Sequence, residues 1–420
     1  MAGFILFLVL TLLTLLDCRR GILFADYPVR TLFYVLHPLH ALMLASGIAG
    51  MFACYRGSRR LETELSGTSQ YVKALTVIIL ALLVIDLFAY RGVPAARSLA
   101  SGRINLDWMT AFGVIGWWKP IAQATSYLLN VWHATMLGVL ISGLALTMLP
   151  VYVQPYMARS GFTGSLLGAL FALPQPFCSC CSSTMAPSLV RRGASTTFLL
   201  SFVIGAPMLN VTTIILALAL LPTPFAVTRI VSGIVVTVLV THAVARIANR
   251  WDRADIASNE TTRDPGWMAR MGNAYIGLFD LDRLMPDGPA QTPSRLFGAW
   301  LSASGRIGLV LVPVLWVWSV IASAIFQALP AAFGNNMPSV VLAAIGGTLF
   351  MISTWSEIPM ALQLIHEGFN GPAATLLVVL PAISLPCMML LGGSLRRFRM
   401  VVLLSAAVMI VGVTAGAMFL

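Results

Sequence analysis

Three cysteines fall within four residues of this chain, at Cys178, Cys180 and Cys181. Sulfur is a soft ligand, so clustered thiolates favour Cu(I), Zn(II) and, by the same argument, trivalent arsenic or antimony. No histidine follows at the spacing of a zinc finger, which argues against permanent zinc storage and for transient capture. The sequence therefore predicts these three thiols as ligands of a soft metal or metalloid.

A carboxyl group in an apolar setting is the second candidate for chemistry. Glu357 ends a stretch, residues 307–356, that contains no charged residue. An ionisable group inside a membrane span is costly and usually faces a cavity or a partner, and burial penalises its charged form, which suits proton coupling. Among the other ionisable residues, Asp86 lies near a helix end and suits an interfacial role, whereas a lone His133 is more typical of an inter-helix hydrogen bond.

The composition places these groups in a membrane protein. Hydrophobic residues make up 58% of the 420 residues and charged residues only 10%, against roughly 25% charged in soluble domains. The net charge is +11, but the basic residues separate apolar stretches instead of forming a patch. That distribution is typical of the positive-inside bias and of contact with the lipid bilayer, and it excludes nucleic acid as a partner. We expect a multi-pass protein of the bacterial inner (plasma) membrane.

Apolar runs near 20 residues long predict an all-α membrane protein, a polytopic helical bundle of about ten transmembrane segments. The runs cover 2–17, 31–55, 72–90, 121–149, 161–190, 194–221, 225–247, 305–329, 339–366, 372–394 and 400–420. If every run spans, the basic clusters fall on both sides of the membrane, in conflict with the positive-inside rule. A re-entrant hairpin in one or both halves would remove part of that conflict.

The chain divides into four regions, two of which resemble each other. N-terminal helices and an interfacial loop occupy 1–120, a first permease repeat 121–248, a polar cytoplasmic loop 249–300 and a second repeat 301–420. Residues 178–210 and 353–384 share one pattern: a polar helix-breaking segment, a short helix and a glycine, then a proline inside a span with a polar residue three positions later.

Proline inside a span removes a backbone donor, and the freed groups must be satisfied by protein, water or cargo. Discontinuous helices in corresponding places of two halves indicate the midplane binding site of a transporter. With the thiols, the predicted substrate-binding residues from the two passages are Thr184, Pro207, Asn210, Glu357, Pro359, Pro381 and Ser384.

These motifs resemble the predicted permease family that includes the ArsP-type organoarsenical efflux permeases. The resemblance covers 170–222 and 345–395, and its residues are Cys178, Ser179, Cys180, Arg191, Arg192, Gly193, Pro207, Asn210, Glu357, Pro359, Gly368 and Pro381. It implies arsenical resistance through efflux of trivalent organoarsenicals or related thiol-seeking compounds. The chain departs from the family pattern at Cys181, where the family has glycine, and at Thr184, where it has proline.

The sequence thus predicts a secondary efflux permease and not an enzyme, without a cofactor. There is no Walker A motif, so an ion gradient, with protons as the candidate ion, is the expected energy source. Two alternatives stay open: transport of a sulfur compound or another metal ion, and a membrane thiol oxidoreductase that uses Cys178 and Cys180. A homo-oligomer is compatible with the sequence.

Overall fold

The computed structural model describes residues 2–20, 38–61, 74–89, 116–175, 178–257, 293–328, 334–349 and 357–420, with two isolated positions at 270 and 274. Within these ranges the regular structure is helical and no strand occurs. The helices are α1 (Ala2–Arg20), α2 (Pro38–Leu61), α3 (Ala74–Ala89), α4 (Lys119–Met157), α5 (Gly161–Ala172), α6 (Ser179–Arg191), α7 (Thr196–Leu209), α8 (Val211–Leu220), α9 (Thr223–Ile234), α10 (Thr241–Ala257), α11 (Pro293–Ala328), α12 (Met337–Leu349), α13 (Glu357–His366), α14 (Asn370–Ala382), α15 (Leu385–Leu395) and α16 (Phe398–Ala417).

The all-helical prediction is confirmed, whereas the count of about ten spans is not. In the described part of the chain six helices are long and apolar enough to cross a membrane, or seven if α4, bent by 58°, counts as one span. Within the described residues, the predicted runs 161–190 and 339–366 each contain two short helices, of 12 and 13 residues and of 13 and 10 residues. At 1.5 Å per residue none of these helices reaches the roughly 30 Å needed to cross the bilayer core.

Helices α5 and α6 form a hairpin that returns to the side from which it starts. At its base, the Ser195 amide donates to the Met157 carbonyl at 2.8 Å and the Ser195 hydroxyl to the Arg159 carbonyl at 2.6 Å. At its tip, the Leu173 carbonyl accepts from the Val211 amide at 3.0 Å, near the middle of the 25-residue span Thr196–Leu220. The hairpin therefore has the geometry of a re-entrant segment, with its base beside the start of that span and its tip beside the span's middle.

Helices α12 and α13 repeat that arrangement in the second half. Asn335, just before α12, accepts a hydrogen bond from the Gly371 amide at the start of α14 at 2.8 Å, which closes the base of this second hairpin. Both hairpins end at a left-handed glycine, Gly193 at φ +85° and Gly368 at φ +83°. Glycine suits this position because it adopts positive φ without the clash of a Cβ, and its amide caps the preceding helix.

Each half therefore contains three crossings and one hairpin. The first comprises α4, the α5–α6 hairpin, α7 with α8, and α9 continued by a π-helical segment into α10; the second comprises α11, the α12–α13 hairpin, α14 with α15, and α16. An odd number of crossings inserts the second half in the opposite orientation, which gives an inverted repeat. The first helices of the two halves run antiparallel, since the Trp300 indole donates to the Leu140 carbonyl at 2.7 Å and the Trp316 indole to the Thr125 hydroxyl at 3.0 Å.

The re-entrant hairpins also place the arginine clusters on one side. Arg397 donates to Asn249, near the end of the apolar span Thr223–Trp251, at 2.8 Å and to Thr196 at the start of α7 at 3.3 Å. If every apolar run spanned the membrane, Arg192 and Arg399 would lie on opposite sides. The sequence left open a re-entrant hairpin instead, and the contacts of Arg397 agree with that alternative. The positive-inside rule predicts that this shared side is cytoplasmic.

Cysteine labelling tests the second hairpin. Met337→Cys and Glu367→Cys, both at exposed positions beside the ends of the hairpin, should react with an impermeant maleimide in intact cells, because both face the outside. Arg399→Cys should react only after the membrane is opened, and the unaltered chain gives the background from its own cysteines. Opposite accessibility of positions 337 and 367 would show that this segment crosses the membrane.

Candidate functional site

The site is built around the break between α7 and α8. Pro207 has no amide hydrogen, so the carbonyl four residues earlier, on Val203, loses its helical donor. The Ser182 hydroxyl, from the first turns of α6, lies 3.0 Å from that oxygen and is fully buried. The hairpin helix thereby supplies a donor to the carbonyl that the proline frees.

Asn210, in extended conformation, joins the two helix halves. Its side-chain oxygen accepts from the Thr213 amide at 2.8 Å and from the hydroxyls of Thr212 and Thr213 at 2.6 and 2.8 Å. Its side-chain amide donates to the Ala206 carbonyl at 2.7 Å. Asn210 thus caps the start of α8, as asparagine does at many helix starts. The same side chain also caps the end of α7.

Arg229 on α9 satisfies the next two carbonyls of the break. One guanidinium nitrogen donates to the Met208 carbonyl at 3.1 Å and the other to the Pro207 carbonyl at 3.3 Å. The side chain is 1% exposed, and its Nε has no hydrogen-bond partner within the described part of the chain. Helix ends leave four carbonyls without helical donors, and here two side chains from different helices bind three of them.

Glu357 brings the second repeat to the same place. Its carboxylate oxygen lies 3.6 Å from Arg229 Nη2, and the side chains are 3% and 1% exposed. Since Glu357 is the first residue of α13, the tip of the second hairpin reaches the break of the first repeat. Sequence reasoning predicted Glu357 but missed Arg229; the available signal was a charge within the apolar run 225–247.

The cysteine cluster lies at the tip of the first hairpin. Cys178 is the N-cap of α6, and its sulfur accepts from the Cys181 amide at 3.3 Å and lies 3.1 Å from the Cys181 sulfur. The Cys180 side chain falls outside the described residues. Within the described part of the chain, no three His, Cys, Asp or Glu side chains are arranged to hold a metal ion. The structure therefore shows a pair of adjacent thiols.

Both halves of the chain surround these thiols. A Cβ on Gly138 of α4 would lie 3.4 Å from the Cys181 sulfur, so the missing side chain makes room for it. Ser142, one turn further along α4, lies near the same sulfur and donates to the Gly138 carbonyl at 2.7 Å. Helix α6 packs against α15, which brings Cys387 of the second repeat near Cys181. The tip of the first hairpin thus lies between an early helix and the helix after the second break.

The second break is less completely hydrogen-bonded than the first. Ser384 separates α14, with Pro381 in its last turn, from α15 in extended conformation, and it makes no side-chain cap. The hydroxyl is 1% exposed and has no partner in the described ranges. The other predicted residues lie beside the groups above: Thr184 donates to the Cys181 carbonyl at 2.8 Å, and Pro359 is half-buried in the first turn of α13.

Two more buried pairs join the N-terminal helices. His133 on α4 lies 3.1 Å from the Asp86 carboxylate on α3, and His40 on α2 lies 2.6 Å from Asp17 on α1. The inter-helix role expected for His133 is confirmed, but Asp86 is 6% exposed and not interfacial. Both pairs connect neighbouring helices at a distance along the chain from the two breaks.

Comparison with known proteins agrees with this architecture. A family model described as "Predicted permease" (ArsP_1) matches residues 121–419, which covers both inverted halves. The chain is 30% identical over 313 residues to UPF0718 protein YraQ of Escherichia coli, covering 72% of this chain and 82% of that protein. It is 24% identical over 293 residues to UPF0718 protein MJ0584 of Methanocaldococcus jannaschii, covering 60% and 77% respectively. No solved structure matches it significantly.

The first break offers a stability test. Asn210→Ala removes the acceptor for α8 and the donor for α7, so the free energy of unfolding in detergent should fall by about 1–2 kcal/mol. Thr212→Val is the matched control, because it removes one hydroxyl bond to the same oxygen and leaves the cap in place. Equal losses in the two variants would contradict the role of Asn210 as the cap of both helices.

Proposed function

We propose that this chain, which belongs to the predicted permease family ArsP_1, is a secondary permease that exports a soft, thiol-reactive metalloid or organometalloid of the trivalent organoarsenical class. The family and the long apolar helices identify a multi-pass membrane transporter. We assign it to the bacterial inner membrane, with the arginine clusters in the cytoplasm.

The observation that carries the proposal is the sulfur pair, Cys178 Sγ and Cys181 Sγ at 3.1 Å. A trivalent organoarsenical with two hydroxyl groups can exchange both for sulfur: two As–S bonds form, and the two thiol protons leave with the hydroxyls as two water molecules. The reverse reaction with water releases the cargo. Two adjacent sulfurs therefore give selectivity for a soft centre and keep binding reversible, as a transporter requires.

The position of the pair supports the proposal. The hairpin tip that carries it meets the break of the first repeat through Leu173 and Val211, and α6 packs on α15 of the second repeat. Inverted-repeat transporters bind cargo near the midplane, between their halves. A site in contact with both halves can open to one side or the other when they move against each other.

Glu357 is the group we propose for proton coupling. It is 2% exposed, lies at the tip of the second hairpin as the first residue of α13, and pairs with an arginine of the first repeat. A buried carboxyl at a contact between repeats can take up a proton on one side of the membrane and release it on the other.

Loss of the sulfur pair tests the cargo. Cells that express the Cys178→Ser/Cys181→Ser variant and are loaded with trivalent methylarsenite should retain about tenfold or more arsenic than cells with the unaltered protein, since even outer-shell changes weaken metal sites roughly 10–100-fold. Cys54→Ser, near the end of α2, is the matched control and should export normally. Export by the double variant at the normal rate would show that Cys178 and Cys181 do not bind the cargo during export.

Loss of the carboxyl tests the coupling. Glu357→Gln keeps the shape but binds no proton, so in everted vesicles it should lose arsenical uptake against a gradient while downhill movement continues. Gln363→Glu/Glu367→Gln exchanges two side chains that are hydrogen-bonded to each other at the end of the same hairpin helix. It is the control and should remain proton-driven. Proton-driven accumulation by Glu357→Gln would disprove the role of Glu357.

The sulfur pair also favours a second candidate, a membrane thiol oxidoreductase. The sequence suggested Cys178 and Cys180 for this activity, whereas the structure brings together Cys178 and Cys181. A dithiol at a helix N-terminus resembles the arrangement of redox C-x-x-C motifs. Trapping of thiols in growing cells separates the two: a reversible Cys178–Cys181 disulfide without arsenical export would favour the oxidoreductase. Competition by thiosulfate would instead favour transport of a sulfur compound.

A further inference from the structure

We propose that Arg229 is the positioning residue of the coupling step: it holds the Glu357 carboxylate at the break of the first repeat and is the counter-charge against which Glu357 exchanges its proton. This inference rests on the proposed transport function but concerns a residue that neither the sequence motifs nor the family resemblance included. It is carried by the contacts of the guanidinium, which reach both repeats at once.

On one side, Arg229 is fixed to its own repeat. Its two terminal nitrogens bind the carbonyls of Pro207 and Met208 at 3.3 and 3.1 Å, and these carbonyls lack helical donors because α7 ends at Leu209. A planar guanidinium can bind two successive carbonyls and still present nitrogens to a carboxylate, which a single ammonium group cannot do with the same geometry. The charge therefore stays at the break whatever happens to its partner.

On the other side, Arg229 meets a group that belongs to the opposite repeat. Glu357 Oε1 lies 3.6 Å from Nη2, longer than the two carbonyl contacts. Both side chains are almost completely buried. The bond between the repeats is therefore the weaker of the two attachments, and separation of the halves would break it first.

The surroundings of the pair contain few other charges. Helix α14, against which α13 packs, has no charged or titratable residue, and neither have α7 and α8. Arg229 is the one charged residue in the sequence of α9, and α13 itself adds only His366, about two and a half turns from Glu357. Helix α16, which packs against α9 and α14, adds only Arg399 in its first turn. The charge on Glu357 is thus balanced chiefly by Arg229, and a change of protonation is felt directly in this contact.

The coupling step then follows. A proton binds a carboxylate oxygen of Glu357 and converts it to the neutral acid, while Arg229 keeps its own protons and both carbonyl bonds. The attraction between the repeats at this point is lost, and the tip of the second hairpin can leave the break. Release of the proton on the other side restores the carboxylate, which returns to the waiting guanidinium.

The experiment is transport by the purified full chain in proteoliposomes, with trivalent methylarsenite as probe and with an imposed proton gradient or none. Arg229→Met leaves a buried carboxylate without its counter-charge, and should lose proton-driven transport. Arg229→Lys keeps the charge and should remain proton-driven at about a tenfold lower rate, the equivalent of one charge-assisted hydrogen bond. Arg229→Met/Glu357→Gln removes both charges and should recover downhill transport that ignores the proton gradient.

A role in folding alone predicts a different result. In that case Arg229→Met, which keeps Glu357, would retain proton-driven transport once it is folded, and this outcome would overturn the proposal. Proton-driven transport by the neutral double variant would overturn it as well, because that variant lacks the proposed proton site. Thermal unfolding in detergent identifies which variants are folded, and the double variant should be more stable than Arg229→Met because it has no unpaired buried charge.

A measurement without cargo tests the proton site independently of the proposed substrate. The infrared band of a protonated carboxyl should appear when the purified protein is acidified and should be missing in Glu357→Gln. In Arg229→Lys it should appear over a different pH range, because the guanidinium contacts the carboxylate that takes up the proton. If these bands behave as expected while methylarsenite is not transported, the cargo is wrong and the proton site stands. If the band is unchanged in both variants, the proton site is wrong whatever the cargo.

Discussion

The structure depends on one constraint: backbone carbonyls that lose their helical donors inside the membrane, through Pro207 or through the end of α7, must find donors within the protein, because hydrocarbon offers none. At the first break those donors are Ser182 from the hairpin, Asn210 from the break itself and Arg229 from the following helix. Each donor fixes a different element against α7. The break between α7 and α8 thus determines where the hairpin tip and α9 lie. Through the ion pair between Arg229 and Glu357, it also positions the second repeat.

The same contacts explain why the two short-helix pairs turn back. Their helices are too short to cross, but a hairpin whose tip ends in polar groups needs polar groups at that depth. The break provides them: Leu173 meets the free amide of Val211, and Glu357 meets the guanidinium bound to the broken end of α7. Both hairpin tips therefore converge on the break of the first repeat. With the hairpins excluded from the crossings, each half crosses three times and the two halves are inverted.

The two breaks are not equivalent, and we assign them different parts of the transport cycle. The first is hydrogen-bonded by side chains and carries the charge pair that we assign to coupling. At the second, the buried Ser384 hydroxyl lacks a partner within the described residues, and the helix after it packs against the one that carries Cys181. Cargo capture and proton exchange can then occupy neighbouring sites that involve the same two hairpins. Exchange of cargo for protons requires such a link between the two sites.

The sequence alone determined the class of protein, the repeat, the two breaks and Glu357, because hydropathy, proline and glycine act through local backbone chemistry. Gly193 and Gly368 could be matched by their places in the two repeats because each ends a helix in a conformation that only glycine adopts easily. Only the tertiary structure decided that the runs 161–190 and 339–366 turn back, that Cys178 pairs with Cys181, and that Arg229 faces Glu357. Hydropathy is the same for a re-entrant and a crossing segment, and the partner of a buried charge depends on which helices pack together, 128 residues apart in this case.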